Sequence, residues 1–306
     1  MTDPGLLGIA SRVARLASAP VREVRALGAQ HGSGHYRVTL ADGRVAFAKA
    51  AAPAPAPAQA HADAPGGVFE AEARGLSWLA EAGSVAVPPV IGWDPATLVI
   101  AWIAESEPDQ RAAERFGRDL AALHSAGAGQ FGTPWPGFIA SLPLGDVTGD
   151  EGDAREGWPA WYGRQRLLPY QRRGADAGVL TAADTGLVEA VIARLGELAG
   201  PAEPPSRIHG DCWSGKVLWS AGRAWLIDPA AHGGHRETDL AMLALFGAPY
   251  LDRVVASYQE AAPLADGWRA RVPLHQLHPL LVHVCLFGAS YRSAVLAAAR
   301  AALAAG

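Results

Sequence analysis

The chain is poor in cysteine, in lysine and in long apolar runs, and each shortage excludes something. Of its 306 residues only Cys212 and Cys285 are cysteines. Two thiols without Cys-x-x-Cys spacing are too few for a disulfide framework or a thiolate metal site, so reduced thiols are expected. Cys212 falls within a motif discussed below and reads as a small loop-filling residue. No segment approaches 18 uninterrupted apolar residues, and the opening Met-Thr-Asp-Pro-Gly lacks the basic-then-apolar order of a signal peptide. A cytoplasmic location is expected. The formal net charge is only -4 and the pI about 6.2, so the basic field that nucleic acid or an anionic membrane would demand is missing, and neither partner is expected. Lysine is the most telling scarcity. Of 26 Lys and Arg residues only Lys49 and Lys216 are lysines, so a chain that otherwise uses Arg for positive charge departs from that habit at two positions.

What is present suffices for a large core, since half of the residues are hydrophobic and this length forms one large domain or two lobes. Leu6, Leu7, Ile9, Val13 and Leu16 recur at helical spacing over 4–18, and Pro20 closes that helix. The period then becomes two over 21–27, 35–40 and 45–50, with Ala41, Asp42 and Gly43 as a hairpin turn. Gly28, Gly32 and Gly34 lie between the first two strands and form either a loop whose amides approach phosphates or a flexible hairpin. The Pro/Ala-rich segment 51–67 is expected as a mobile loop. A helix over 68–82 and strands over 85–91 and 98–103 complete an antiparallel lobe, with Trp93, Asp94 and Pro95 as a turn and Glu105 to Pro108 as a hinge. The remainder reads as helices from 109 to about 127, 159–173, 181–198, 250–262 and 279–304. Between 131 and 161 the chain is loop-rich, and Trp135, Phe138, Trp158 and Trp161 either stack on a ligand or form a core of their own. No internal repeat is visible.

The stretch from Ile208 to Met242 carries the chemistry. It sets Asp211 in a turn after His209 and Gly210, and Asp228 at the end of a short apolar run, with Ser220, Ala221 and Gly222 as a hairpin between them. Phosphoryl transfer uses such a pair, one carboxylate to orient the attacking hydroxyl and another to hold Mg²⁺ against nucleotide phosphates. The kinase pattern adds a metal-binding Asn after four intervening residues; here that position is Lys216. The pattern also places a strand Lys on the α and β phosphates, paired with a helix Glu. Lys49 ends the third strand, and Glu72 shares a helix side with Leu76 and Leu79, with Glu70 in reserve.

With these residues in view, the chain resembles the fructosamine (ketosamine) kinases, relatives of the aminoglycoside and choline kinases. His-Gly-Asp-x-Trp-Ser-Gly at 209–215 is similar to their catalytic loop, Ile-Asp-Pro-Ala at 227–230 to their metal loop, and Gly-His-Arg-Glu-Thr-Asp-Leu-Ala-Met at 234–242 to a further signature. The resemblance implies a protein-kinase-like α+β fold, with a nucleotide-binding lobe over 1–103 and a catalytic and acceptor-binding lobe over 104–306. It implies ATP and Mg²⁺ as cofactors and ketosamine phosphorylation, a deglycation repair reaction on a small or protein-bound adduct. Asp211 becomes the catalytic residue and Asp228 the metal ligand. Lys49, Glu72, Gly32 and Gly34 fall on the nucleotide, and Ala101, Trp102 and Ile103 on the adenine. Trp213, His235, Arg236, Glu237 and His283 fall on the acceptor side, although His283 also fits a helix-surface or core histidine. His124 and Asp239 are expected to be structural. Lys216 has no acceptor atom and cannot ligate a metal. It either displaces one metal and neutralises phosphate itself, or weakens metal binding, and reduced activity is the expectation because charge stabilisation carries most of this catalysis. Alternatives are an aminoglycoside-like phosphotransferase and a nucleotide-binding pseudokinase.

Overall fold

Strand alternation decides which side chains of the first lobe meet which helix. The computed structural model describes residues 4–30, 32–51, 67–145 and 157–305. Helix α1 (Pro4–Ala17) precedes strands β1 (Val21–Gln30), β2 (Ser33–Leu40) and β3 (Val45–Ala51), and then come α2 (Val68–Glu81), β4 (Val90–Asp94) and β5 (Thr97–Ala101). The five strands form one antiparallel sheet in the order β1-β2-β3-β5-β4. On β3, Ala46, Ala48 and Ala50 pack with Ile9, Val13 and Ala17 of α1 on one face. Successive side chains point to opposite faces, so Phe47, Lys49 and Ala51 face α2, whose Leu76 and Leu79 are fully covered. Each of those leucines contributes roughly 1.5–3 kcal/mol by leaving water.

Three expectations for this lobe change. β1 and β2 run farther than their polar patterns suggest, so Gly28 and Gly34 pair within strands and only Gly32, with φ of 79°, sits in the turn. The strand expected over 85–91 starts at Val90; Ala86 instead bridges Trp225 of the second lobe. The Pro/Ala-rich loop lies, for 52–66, outside the described residues.

The second lobe is mainly helical: α3 (Gln110–Ser125), α4 (Trp158–Tyr162), α5 (Leu168–Asp176), α6 (Ala182–Ala193), α7 (Leu195–Leu198), α8 (Glu237–Leu245), α9 (Leu251–Ala261), α10 (Trp268–Phe287) and α11 (Arg292–Ala304). Asp109 caps α3 by accepting the Ala112 N–H at 2.8 Å. Short antiparallel pairs punctuate the helices: β6 (Phe138–Ile139) with β7 (Leu142–Pro143), β8 (Ser206–Ile208) with β11 (His232–Gly234), and β9 (Val217–Ser220) with β10 (Arg223–Leu226). One helical stretch, Trp268–Ala304, is long and apolar enough by length and composition to cross a membrane. In this fold its Leu274, Leu277, Leu280 and Leu281 pack into the core of the lobe, with His275 and His278 buried beside them. That helix begins eleven residues before the expected Pro279, because packing on both sides of Pro273 and Pro279 keeps it continuous. Trp158 and Trp161 are buried in one core against Tyr162 and Phe131, and Trp135 is buried separately against Trp78, so these three are core residues rather than a stacking surface.

Candidate active site

The β8-to-β9 loop, the turn after β10, strand β3 and helix α2 converge on one cleft between the lobes. Lys49 enters from β3 and Glu72 from α2, and the Nζ lies 2.8 Å from both carboxylate oxygens. Glu70 pairs instead with the exposed Arg74 on its own helix. The same ammonium reaches Asp228 Oδ1 at 2.6 Å, while Lys216 Nζ holds Asp228 Oδ2 at 2.7 Å. Burial alone would pull Lys49 down, but Glu72 and Asp228 outweigh it and keep the ammonium charged. Burial likewise pushes Asp228 up, and the Lys49 and Lys216 cations overcome this and hold it well below the usual carboxylate range. Asp228 itself has φ of 52°, a left-handed conformation that Asp tolerates better than most residues and that the surrounding ion pairs fix.

Asp211 is held by a scaffold of buried polar groups. The Asp239 carboxylate, at the start of α8, accepts the N–H groups of His209 at 2.7 Å and Gly210 at 2.9 Å and meets His124 Nε2 at 3.2 Å. His124 Nδ1 in turn bonds the Tyr258 hydroxyl at 2.8 Å. Burial keeps His209 neutral. Its Nδ1 accepts the Asp211 N–H at 3.2 Å and its Nε2 donates to the Ile227 carbonyl at 2.9 Å, tying the loop to the residue before Asp228. Gly210, with φ of 78°, is required here, since a Cβ would strike the Ala230 carbonyl. The Asp211 side chain lines the cleft. Burial pushes it up to about 7, against the pull of the Lys216 cation and with the support of Asp228 and Asp239. A half-titrated carboxyl at neutral pH suits a general base. Cys212 behind it is fully buried, which raises its thiol well above its ordinary value and leaves it a packing residue.

These elements are the parts of a phosphotransferase. A family model described as Fructosamine kinase matches residues 59–304. The chain belongs to the fructosamine kinase family. It is therefore an ATP-using kinase on a two-lobed protein-kinase-like α+β fold. A Thermus thermophilus protein named probable ketoamine kinase is 36% identical over 233 residues, covering 76% of this chain and 82% of the relative. The crystal structure of a Thermobifida fusca protein bearing the fructosamine-3-kinase name superposes with a TM-score of 0.89 at 55% identity, over 97% of this chain and 98% of that one. A macrolide 2′-phosphotransferase of Brachybacterium faecium shares the fold alone, with a TM-score of 0.58 at 17% identity over 95% and 97% of the two chains.

Within this family member the cleft gathers Lys49, Glu72, Asp211, Trp213, Lys216, Asp228 and His283. It does not gather every residue expected there. His235, Arg236 and Glu237 follow the metal loop in sequence, but the turn into α8 carries them into the interior. His235 packs on Trp158 and His275, with centroids 4.9 and 4.8 Å away. Arg236 grips Glu203 with two 2.7 Å bonds, and Glu237 takes two from Arg271 while meeting His275 Nε2 at 3.3 Å. His235, Glu237 and His275 could group around a metal ion, yet the Arg271 guanidinium already occupies both Glu237 oxygens. Gly32 and Gly34 do not line the cleft; Gln30, Ser33 and His35 of that hairpin do. In the connector, the Ala101 amide donates to Pro89 at 2.9 Å and the Trp102 amide to Val45 at 3.1 Å, and neither these residues nor Ile103 line the cleft.

The cleft is also lined by residues that the sequence did not single out, beside Phe138, one of the aromatics expected to stack on a ligand or form a core. Phe138 and Ser141 on the β6–β7 hairpin and Leu286 and Phe287 at the end of α10 line it. Phe246 packs edge-on to Trp213 at 5.7 Å and against His283 at 5.3 Å. Burial holds His283 neutral. The signal for Phe246 and Phe287 was weak, because each is a single aromatic at the end of an apolar helix and becomes an exposed wall only once α8 and α10 are packed together.

Proposed function

We propose that this chain phosphorylates a sugar hydroxyl of a small or protein-bound ketosamine, the 3-hydroxyl of a fructosamine or ribulosamine, and thereby destabilises early glycation adducts in the cytoplasm. The observation that carries the reading is the convergence of Asp211, Asp228 and the Lys49–Glu72 pair on one cleft in a chain of this family. Lys49 binds the α and β phosphates, the backbone of the connector at 101–103 meets adenine, and Trp213 packs on the sugar face. Asp211 takes the proton of the acceptor hydroxyl as its oxygen bonds the γ-phosphorus. The bond from that phosphorus to the β,γ-bridging oxygen breaks, and ADP leaves with the electron pair.

The donor set suits magnesium. Asp228 offers hard carboxylate oxygen at the expected place and nucleotide oxygens would complete the shell. Magnesium held there neutralises the charge of the triphosphate. A neutral or apolar amine substituent fits the acceptor wall better than a polycation does. Among the described cleft-lining residues only Glu72, Asp211 and Asp228 are acidic, and lysines hold two of them.

The test is ATP consumption with a small fructosamine and Mg²⁺, comparing the native chain with Asp211→Ala. Loss of about a thousandfold or more in kcat, with an unchanged circular dichroism spectrum, is expected. Equal turnover by the variant would remove Asp211 from the mechanism.

A further inference from the structure

The chain's only two lysines meet on one carboxylate. Among 306 residues that include 26 Lys and Arg, the ammoniums of Lys49 and Lys216 cap the two oxygens of Asp228 at 2.6 and 2.7 Å. Everywhere else positive charge is delivered by Arg, a wide planar fork; a compact point charge has been kept for this spot. Lys216 is also fixed in place. Its amide donates to the Trp213 carbonyl at 2.8 Å and its carbonyl accepts the Ile227 N–H at 3.0 Å, so the residue is pinned between the catalytic loop and the strand that delivers Asp228. Its side chain is 18% exposed and its Nζ lies 5.9 Å from the centre of the Trp213 ring.

The position five residues beyond the catalytic Asp is where a kinase places the neutral oxygen that binds its second metal ion. Lysine has no lone pair to offer there, so a two-metal arrangement does not fit these residues, whereas one ion on Asp228 does. The sequence alone made loss of charge stabilisation the expectation. The geometry reverses it, because the missing ligand is replaced by a cation aimed at the same carboxylate.

We propose that the Lys216 ammonium stands in for the second metal ion, so that the nucleotide-loaded protein holds one divalent cation and supplies the other positive charge from its own chain. The inference rests on the kinase reading of the cleft and deepens it. In the nucleotide-free protein both Asp228 oxygens are covered by ammoniums, so a divalent ion enters together with the triphosphate rather than ahead of it. When phosphate oxygens arrive, Lys216 exchanges Asp228 Oδ2 for them.

Counting Mn²⁺ bound to the full chain by electron paramagnetic resonance, with a non-hydrolysable ATP analogue present, tests this without relying on turnover. One Mn²⁺ per native chain and two per Lys216→Asn chain are expected. Two Mn²⁺ on the native chain would overturn the proposal, whatever the variants do. So would analogue binding with no Mn²⁺ at all. Lys216→Met gives an independent check, because it removes the charge without adding a ligand. It should retain one Mn²⁺ and bind the analogue about tenfold to a hundredfold more weakly; unchanged affinity would contradict a role for the ammonium. If the native chain binds one Mn²⁺ with the analogue yet phosphorylates no ketosamine, the acceptor assignment fails and the one-cation site stands.

Discussion

Among single residues Asp211 is decisive for the proposed chemistry, since burial pushes its carboxyl up to about 7 while the Lys216 cation pulls it back. A base acts only when deprotonated, so kcat/KM should rise with pH through about 7, the free-enzyme value. Removing the cation removes the downward pull, so Lys216→Asn should move that midpoint to higher pH. A profile flat across neutrality, or a downward move in Lys216→Asn, would contradict this assignment. Residue chemistry was legible in the sequence wherever one residue type can do the job. Lys49, Glu72, Asp211 and Asp228 could be grouped from the sequence because phosphate, metal and proton each demand a particular group, and the fold does bring the four to one cleft. His235, Arg236 and Glu237 were misplaced for the opposite reason. Charged and aromatic-like residues beside a metal loop suit an acceptor or a buried network equally, and only the packing of α8 against Trp158 and Arg271 decides for the network.

The next scale is the element, where two contacts make separate predictions. The Lys49–Glu72 pair clamps β3 to α2, and both side chains are about nine-tenths covered. Glu72→Gln keeps the shape but removes the charge, leaving Lys49 to Asp228 alone. It should cost roughly 2 kcal/mol of stability and raise KM for ATP more than it lowers kcat, as thermal denaturation and steady-state kinetics would show. An unaltered ATP KM would mean that the pair does not position Lys49. The β9–β10 hairpin turns through Ala221 and Gly222, both at positive φ. That geometry favours Asn-Gly, and an alanine pays a steric penalty there. Ala221→Asn should therefore add about 1 kcal/mol, read as a higher urea midpoint, and a lower midpoint would refute the strain. This hairpin was legible, since its turn sits between two short apolar strands. Helix α10 was not, because Pro273 and Pro279 read locally as helix boundaries and only the surrounding core keeps the helix whole. The β8–β11 pair was also hidden, as three-residue strands 24 residues apart have no period to detect.

For the whole molecule, the lobes share one hydrophobic core, in which Phe69, Leu76, Leu79 and Ile100 of the first meet Phe116, Val217 and Leu226 of the second, and the Leu226 N–H donates to the Ala86 carbonyl at 2.8 Å, with the cleft alongside. The two-lobed outline could be foreseen from a β-periodic first third and a helical remainder. Of the apolar cleft wall only Phe138 was among the aromatics considered for a ligand, because Phe246 and Phe287 come from separate elements. Among the described residues that wall is apolar, and under the proposed function it would separate a ketosamine from a polycationic acceptor. The most direct measurement is phosphorus NMR of the native chain mixed with ATP, Mg²⁺ and a small fructosamine, beside an identical sample with an aminoglycoside. The expected result is a phosphomonoester on the fructosamine, growing in step with ADP and absent from the aminoglycoside sample. An ester on the aminoglycoside alone, or ADP formed with no ester in either sample, would contradict the account.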